Sequence, residues 1–282
     1  MATVEEVRAI GNAVGVTVER RLAGGMWGAY LAHTRTGAPV VMKPLVVHPM
    51  HTLAKAQRAV QLAGRLHEDG YPIPRYLDVT ALGDQVVTVQ EFIAGETPEV
   101  FEVDHARQLI DLWRRHRDRA DGTGLDPLAG VRSAQAPDCL TLQDAADPAI
   151  RALYAEARAV IDANDPSIFR TTDIVHHDFH HRNFLVRDGR VVAVFDWEGA
   201  SGGDSRVDLC GLAWTTRPGL PSRTPEADAL TAAAVAREVD PDVAAALAAG
   251  RAVEKLAFGL RSGAEIRDDV LAAVRACMRP HW

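Results

Sequence analysis

Apolar and polar residues alternate in short runs through the first third of the chain and then change to a helical spacing. Short alternating runs separated by Gly and Asp predict β-strands, and the close succession of the first three predicts an antiparallel meander. The predicted strands are residues 16–22, 30–34, 39–45, 75–80 and 86–92. Apolar residues three or four positions apart, from Leu53 to Leu66, predict a helix over 52–68, and a shorter helix is predicted over 2–14.

Beyond Gly95 the spacing of apolar residues is mostly helical. The predicted helices are residues 103–119, 148–163, 205–215, 225–238, 241–260 and 264–278. Two of them begin with an N-cap Asp followed by Pro, at Asp147-Pro148 and Asp240-Pro241. A strand-rich segment, 174–198, interrupts the helices, and the Gly-, Pro- and Asp-rich residues 120–146 predict an irregular connection. We therefore predict an α+β chain with a β-rich first domain and a mainly helical second domain.

The composition is that of a globular protein with an acidic net charge. The 282 residues carry a net charge of −7, so the basic field of a nucleic-acid-binding protein is missing. Cys139, Cys210 and Cys277 are too far apart for a disulfide framework or a metal motif. The sequence shows neither a membrane-spanning apolar stretch nor a secretion signal. We expect a cytoplasmic protein, monomer or dimer, with no nucleic-acid or membrane partner.

A polar segment between two apolar runs carries the clearest chemistry. Asp178 and Asn183 are five residues apart, the spacing of the kinase catalytic loop, and the strand that follows ends in Asp196. Phosphoryl transfer requires a carboxylate beside the acceptor hydroxyl and hard oxygen ligands for Mg²⁺. Lys43 lies on the third predicted strand, where a kinase needs a cation for the nucleotide phosphates. These residues together predict phosphoryl transfer.

Three spaced motifs follow one another in the second half of the chain. They are His176, Asp178, His180 and Asn183 in H-x-D-x-H-x-x-N, then Phe195-Asp196-Trp197-Glu198, then Gly203-Asp204 with Asp208-Leu209. With these motifs the sequence resembles the aminoglycoside phosphotransferase and choline-kinase-like family over about residues 16–215. The resemblance implies a bilobal, protein-kinase-like fold. Its small antiparallel N-lobe would be residues 1–94, and its larger helical C-lobe residues 95–282.

The resemblance also implies a role for each matched position. Asp178 would be the catalytic base or hydroxyl-orienting group, and Lys43 the phosphate-binding lysine. Asn183 and Asp196 would be the Mg²⁺ ligands. The residues implied for ATP or GTP are Gly24, Gly25 and Gly28 in a phosphate loop and Gln90, Glu91, Phe92 and Ile93 at the adenine. The remaining assignments are Glu198 and Asp204 as substrate contacts, and His176, His180 and Asp208 as support for the loop.

Two positions depart from the family pattern. The helix after Lys43 should supply a Glu to the lysine, yet residues 52–67 contain neither Glu nor Asp. Gln57 or Gln61, one turn apart, would then hydrogen-bond the ammonium instead. The segment from Gly24 to Gly28 also lacks a complete G-x-G-x-x-G, so a plain hairpin is an alternative for it.

Other interpretations of the same residues stay open. The histidines His176, His177, His180 and His181 have a spacing that a zinc site would also show. Asp204 would equally serve to cap the following helix. Lys43, taken without the loop, would be a solvated strand lysine.

The acceptor is predicted to be a small molecule. The chain has no P-loop motif, and the eleven residues between Asp196 and Asp208 are too few for a protein-kinase activation segment. Acids at 178, 198, 204 and 208 predict a negative field that attracts cations, with a solvated acidic face as the alternative. We expect a phosphotransferase that inactivates an aminoglycoside or a basic peptide antibiotic. The alternatives are a metabolic kinase for choline, homoserine or a sugar, and a catalytically silent nucleotide-binding fold.

Overall fold

The structure is a computed structural model that describes residues 3–22, 28–46, 52–134, 136–214 and 222–261, together with the isolated residues 271 and 275. The chain forms two compact units, and the first is discontinuous in sequence. The first unit comprises residues 1–99 and 176–201, and the second comprises residues 100–175 and 202–282.

The predicted strands and helices occur in the predicted order, and short elements that were not predicted lie between them. The strands are β1 (Val16–Arg21), β2 (Tyr30–Thr34), β3 (Pro39–Val46), β4 (Tyr76–Leu82), β5 (Gln85–Glu91), β6 (Val100–Phe101), β7 (Asp173–Val175), β8 (Phe184–Arg187), β9 (Arg190–Val194), β10 (Ser201–Gly203) and β11 (Ser222–Arg223). The helices are α1 (Val4–Ala13), α2 (Leu53–Glu68), α3 (Val103–Arg114), α4 (Ala129–Arg132), α5 (Pro137–Gln143), α6 (Pro148–Asp162), α7 (Arg206–Ala213), α8 (Pro225–Glu238) and α9 (Pro241–Arg261).

A five-stranded antiparallel sheet, in the order β1-β2-β3-β5-β4, forms the first unit together with α1 and α2. Strand side chains alternate between the two faces. One face packs with α1 through a buried cluster that includes Val40 and Met42 of β3 and Val87 and Val89 of β5. The alternation therefore places Lys43 and its cross-strand partner Thr88 on the opposite face.

The segment 176–201 contributes a hairpin and a turn to the same unit. Strands β8 and β9 join through Asp188-Gly189, where both residues have positive φ, the conformation that two-residue hairpins need. The Val194 N–H donates to the Pro72 carbonyl at 2.7 Å, and the buried Trp197 ring meets Tyr71 edge-on. The sequence analysis assigned this segment to the helical domain, whereas these contacts tie it to the sheet. The boundary at residue 94 stays a prediction.

The second unit is mainly helical. Helix α6 packs against α9, and α3 packs against α8. The predicted helix over 103–119 ends at Arg114, where the N–H groups of Arg115 and His116 bond to carbonyls three residues back. Asp118, with a φ of 54°, lies beyond the helix, and its N–H donates to Asp173. The connection predicted to be irregular contains α4 and α5, which are four and seven residues long. Most of the helix predicted over 264–278 lies outside the described residues.

Within the described part of the chain, no helix is long and apolar enough to cross a membrane.

Candidate active site

Lys43 lies at the centre of a buried charge cluster in the first unit. Its ammonium donates to Asp196 Oδ1 at 2.8 Å and to Glu198 Oε2 at 3.1 Å. Its residue surface is 8% exposed. Burial lowers the pKa of Lys43, but the charges of Asp196 and Glu198 and their hydrogen bonds outweigh burial and raise the pKa above its usual range. The lysine therefore stays positively charged. Its burial also argues against the alternative of a solvated strand lysine, which would be exposed.

Both carboxylates reach one ammonium because of the backbone that follows β9. Asp196 adopts the left-handed conformation, with a φ of 73°, and a short 3-10 helix spans Trp197–Gly199. The charge of Lys43 lowers the pKa of Asp196, against the opposing effect of burial. Glu198 is 4% exposed, and its Oε1 accepts a hydrogen bond from the Thr88 hydroxyl at 3.1 Å.

The glutamines predicted to pair with Lys43 do not do so. Gln57 and Gln61 are both exposed on α2, and the ammonium contacts Glu198 and Asp196 instead. The burial of Glu198 does not fit its predicted contact with a substrate, because both of its oxygens face Lys43 or Thr88.

Asp178 presents an oriented and partly exposed carboxylate. His180 Nε2 lies 3.2 Å from Asp178 Oδ1, and Asn183 Nδ2 donates to Asp178 Oδ2 at 2.9 Å. The Asp178 side chain nevertheless keeps 41% of its surface accessible. Asn183 Nδ2 also donates to the Asp178 carbonyl, which fixes the amide against the start of the loop. The carboxylate is thus held in one orientation and stays open to a ligand.

Two histidines of the loop have ring nitrogens occupied by the backbone. His176 Nδ1 accepts from the Asp178 N–H at 3.2 Å, and its Nε2 donates to the Phe195 carbonyl at 2.8 Å. His180 Nδ1 accepts from the Arg182 N–H at 3.1 Å, which assigns the proton to Nε2, the atom facing Asp178. These contacts fit the predicted supporting role. Among the described residues, no group of three or more His, Cys, Asp or Glu could hold a metal ion, so the zinc alternative has no support.

The donor set of Asn183 and Asp196 fits Mg²⁺. Asn183 Nδ2 is used by Asp178, so Oδ1 is the atom of this amide left to act as a ligand. The Asp196 side chain is 45% exposed and supplies carboxylate oxygen. The Phe195 N–H donates to the Asn183 carbonyl at 3.0 Å, which links the two ligand-bearing segments. Hard oxygen donors of this kind suit Mg²⁺, so Asn183 and Asp196 are the residues that would hold it.

The structure describes some of the residues predicted to bind the nucleotide and not others. Gly24 and Gly25 lie outside the described residues, and Gly28 has a φ of 83°, which favours glycine. Gln90 is buried inside the β3–β5–β4 ladder, and the Glu91 N–H donates to the Arg75 carbonyl at 2.9 Å. Phe92 and Ile93 directly follow β5, and the predicted adenine contact at residues 90–93 stays a prediction.

Asp204 and Asp208 belong to the second unit, where both are buried. Asp204 accepts from the Arg206 side chain and from the N–H groups of Arg206 and Arg170. Its placement favours capping over contact with a substrate. Asp208 Oδ2 lies 3.3 Å from His116 Nδ1, and both side chains are fully buried, which fits a structural brace. Asp204, Asp208 and Glu198 are each buried beside a hydrogen-bond or charged partner. These three acids therefore add less to the predicted negative field than the sequence suggested.

Sequence reasoning missed Thr88 and Tyr76. Thr88 could have been found from the register, since it stands opposite Lys43 in the β3–β5 ladder. The pKa of the Tyr76 hydroxyl is raised well above its usual range by burial, together with the charges of Glu198 and Asp196. Tyr76 therefore stays neutral beside this cluster.

Comparison with known proteins gives a family and a set of similar folds. The profile of APH, the phosphotransferase enzyme family, matches residues 19–256. A thermostable mutant of aminoglycoside phosphotransferase APH(4)-Ia, in a ternary complex with AMP-PNP and hygromycin B, is 18% identical with a TM-score of 0.71, and the alignment covers 99% of this chain and 98% of that one.

Two further solved structures cover this chain to the same extent. A putative fructosamine-3-kinase from Thermobifida fusca YX-ER1 is 19% identical, with a TM-score of 0.62 and coverage of 99% of this chain and 100% of that chain. Macrolide 2'-phosphotransferase MphH from Brachybacterium faecium is 18% identical, with a TM-score of 0.52 and coverage of 99% of both chains. Comparison with curated protein sequences finds no match. The chain therefore belongs to the APH phosphotransferase enzyme family, with the protein-kinase-like α+β fold of that family, and is a phosphotransferase.

Proposed function

We propose that the chain transfers the γ-phosphoryl group of ATP to a hydroxyl of an aminoglycoside or a basic peptide antibiotic and so inactivates it. The observation that carries this proposal is the Lys43–Asp196 ion pair at 2.8 Å, which joins residues 153 positions apart. A kinase requires both a lysine for the nucleotide phosphates and a carboxylate for the metal, and this ion pair brings two such groups together. ATP is preferred to GTP as the donor, because the related APH(4)-Ia structure holds AMP-PNP.

The chemistry assigned to the chain's own residues begins at Asp178. The acceptor oxygen forms a bond to the γ-phosphorus while the bond from that phosphorus to the β-phosphate oxygen breaks, and ADP leaves. The hydroxyl proton passes to the Asp178 carboxylate, which His180 and Asn183 hold in place. Lys43 neutralises phosphate charge. Mg²⁺, when held by Asn183 and Asp196, would supply charge stabilisation on the phosphate oxygens.

The similar solved structures support the class of acceptor more than the charges of the acidic residues do. Hygromycin B is bound by APH(4)-Ia, and MphH is a macrolide phosphotransferase. A metabolic kinase remains the second candidate, since a putative fructosamine-3-kinase shares the fold. The catalytically silent alternative rested on the acid missing from α2, and it loses that basis because Glu198 contacts Lys43.

The proposal is tested by measuring ADP release from ATP across a panel of aminoglycosides, basic peptide antibiotics, macrolides, choline, homoserine and sugars. Mass spectrometry then identifies the product with one added phosphate. We expect turnover with an antibiotic acceptor, loss of turnover in EDTA and recovery with Mg²⁺. Turnover with a metabolite alone would replace the antibiotic by the second candidate. Activity that survives EDTA would remove Asn183 and Asp196 from the metal site.

A further inference from the structure

We infer that Glu198 is the positioning residue for Lys43 and so replaces the acid that α2 lacks. This inference rests on the proposed function, because it assigns to Lys43 the nucleotide phosphates as its ligand. The carboxylate that holds the lysine then belongs to the 3-10 turn after β9, and not to α2, the helix after β3.

Two hydrogen bonds fix the Glu198 carboxylate in the first unit. Glu198 Oε2 accepts from the Lys43 ammonium at 3.1 Å, and Oε1 accepts from the Thr88 hydroxyl at 3.1 Å. Thr88 itself is fully buried and stands opposite Lys43 in the β3–β5 ladder. The Glu198 carboxylate therefore links the Thr88 hydroxyl to the Lys43 ammonium on the sheet. Hydrogen bonds that involve a charged partner are about twice as strong as neutral ones, so this arrangement restrains the lysine strongly.

Asp196 also contacts Lys43, but its surroundings suit a different task. The Asp196 side chain is 45% exposed, whereas that of Glu198 is 4% exposed. An exposed carboxylate is available to other ligands, and Asp196 is the residue proposed for Mg²⁺. A buried carboxylate tied to Thr88 has no such second use in this structure. Glu198 can therefore keep the ammonium in place independently of what Asp196 binds.

Removal of Glu198 has two opposite consequences for a phosphate ligand. Loss of one negative charge would strengthen the binding of an anion. Loss of the anchor would leave Lys43 held by Asp196 at 2.8 Å, and the ammonium would then be drawn to that residue. If Glu198 positions Lys43, the second effect prevails and the nucleotide phosphates bind more weakly. If Glu198 contributed only its negative charge, its removal would make the nucleotide phosphates bind more tightly.

The experiment compares the binding of ADP and of adenosine by isothermal titration calorimetry in EDTA. Adenosine lacks phosphate, so the ratio of the two dissociation constants isolates the phosphate contribution. In Glu198→Ala we expect ADP to bind about 10- to 100-fold more weakly, the effect of losing a hydrogen bond to a charged group, with adenosine unchanged. Gln61→Ala is the matched control, because Gln61 is exposed on α2 and we expect no change in either ligand.

Three further variants keep the test decisive. Glu198→Gln preserves volume if Glu198→Ala fails to fold, and Thr88→Val removes the hydroxyl while it leaves the acid in place; both should weaken ADP binding by a smaller factor. In a Lys43→Met background, Glu198→Ala should cause no further loss for ADP, since the two residues act together. A merely structural role would lower affinity for both ligands and would not depend on Lys43.

The outcomes separate this inference from the proposed function. If wild-type protein binds no ADP and transfers no phosphate, the proposed function is wrong and the inference falls with it. If wild type binds ADP and the Glu198 variants bind ADP equally or more tightly, the inference is wrong and the proposed function stands.

Discussion

At the residue scale, the Asp178 carboxylate combines orientation with access, since each oxygen has a donor while the side chain stays 41% exposed. Replacement by Asn removes the proton acceptor and keeps the shape. We expect Asp178→Asn to lower kcat by about 10²- to 10⁴-fold, the usual contribution of a general base, with the ADP dissociation constant nearly unchanged. Steady-state kinetics and calorimetry check the two parts. Asp84→Asn, in the exposed β4–β5 turn, should retain normal turnover. Near-native kcat in Asp178→Asn would show that another group takes the proton.

We expect alanine substitutions at two glycines to change the free energy of unfolding in opposite directions. A Cβ on Gly124 would run into the Thr171 carbonyl and the backbone of Gly203, and backbone cannot give way cheaply. Gly124→Ala should therefore lower the free energy of unfolding by about 1–3 kcal/mol or more. Gly64, inside α2, has open space around it, and Gly64→Ala should raise the free energy of unfolding by about 0.5–1 kcal/mol. Urea unfolding measures both, and a neutral Gly124→Ala would contradict the close approach.

At the scale of the elements, Glu238 at the end of α8 links that helix to α3. Its carboxylate accepts from Arg114 and Arg117. Burial raises the pKa of Glu238, but the hydrogen bonds and charges of the two arginines outweigh it and lower the pKa below the ordinary value of 4.5. A carboxylate with a lowered folded-state pKa stabilises the protein above its unfolded value and loses this contribution as pH falls.

Glu238→Gln should therefore destabilise the protein by about 1 kcal/mol near neutral pH. The difference from wild type should shrink as pH falls below 4.5, through the lowered folded-state value, because the wild-type carboxylate then takes up a proton. Urea unfolding at a series of pH values measures the difference. Glu99→Gln, at an exposed position, should show little of this dependence. A difference that stays constant down to strongly acidic pH would mean that the arginine contacts do not carry the effect.

The elements that sequence predicted well are those with strong local signals. Helix α6 begins at Pro148 because Asp147 accepts from the Ala149 N–H, as the Asp-Pro pair indicated. Helices α4 and α5 escaped prediction because four and seven residues are too few for a helical period to show.

In the candidate site, too, local sequence patterns predicted some features and not others. The spacing of Asp178 and Asn183 predicted that both belong to one catalytic loop, and the structure shows the two side chains in contact. The pairing of Lys43 with Glu198, 155 residues apart, depends on tertiary packing and the left-handed turn at Asp196, which no local pattern encodes.

At the scale of the whole molecule, the first compact unit is assembled from two distant parts of the chain. The residues after 175 return to pair Val186 with Glu96 and to place Trp197 against Tyr71. Truncation of a buried Trp costs about 3–5 kcal/mol, a large share of the 5–15 kcal/mol that stabilises a typical domain. A sheet deprived of this segment therefore loses much of what holds it together.

We accordingly expect a fragment of residues 1–94, the N-lobe as sequence defined it, to be unfolded or weakly folded by circular dichroism. A fusion of residues 1–99 to 176–201 through a flexible Gly/Ser linker restores the Val186–Glu96 and Trp197–Tyr71 contacts, and it should unfold cooperatively in urea. Replacement of Trp197 by Ala in the fusion is the matched control, because it keeps the segment and its length while it removes the buried ring. That variant should lose most of the gain in stability. If residues 1–94 fold cooperatively and the added segment changes nothing, the sheet is self-sufficient and the discontinuous unit is not a unit of stability.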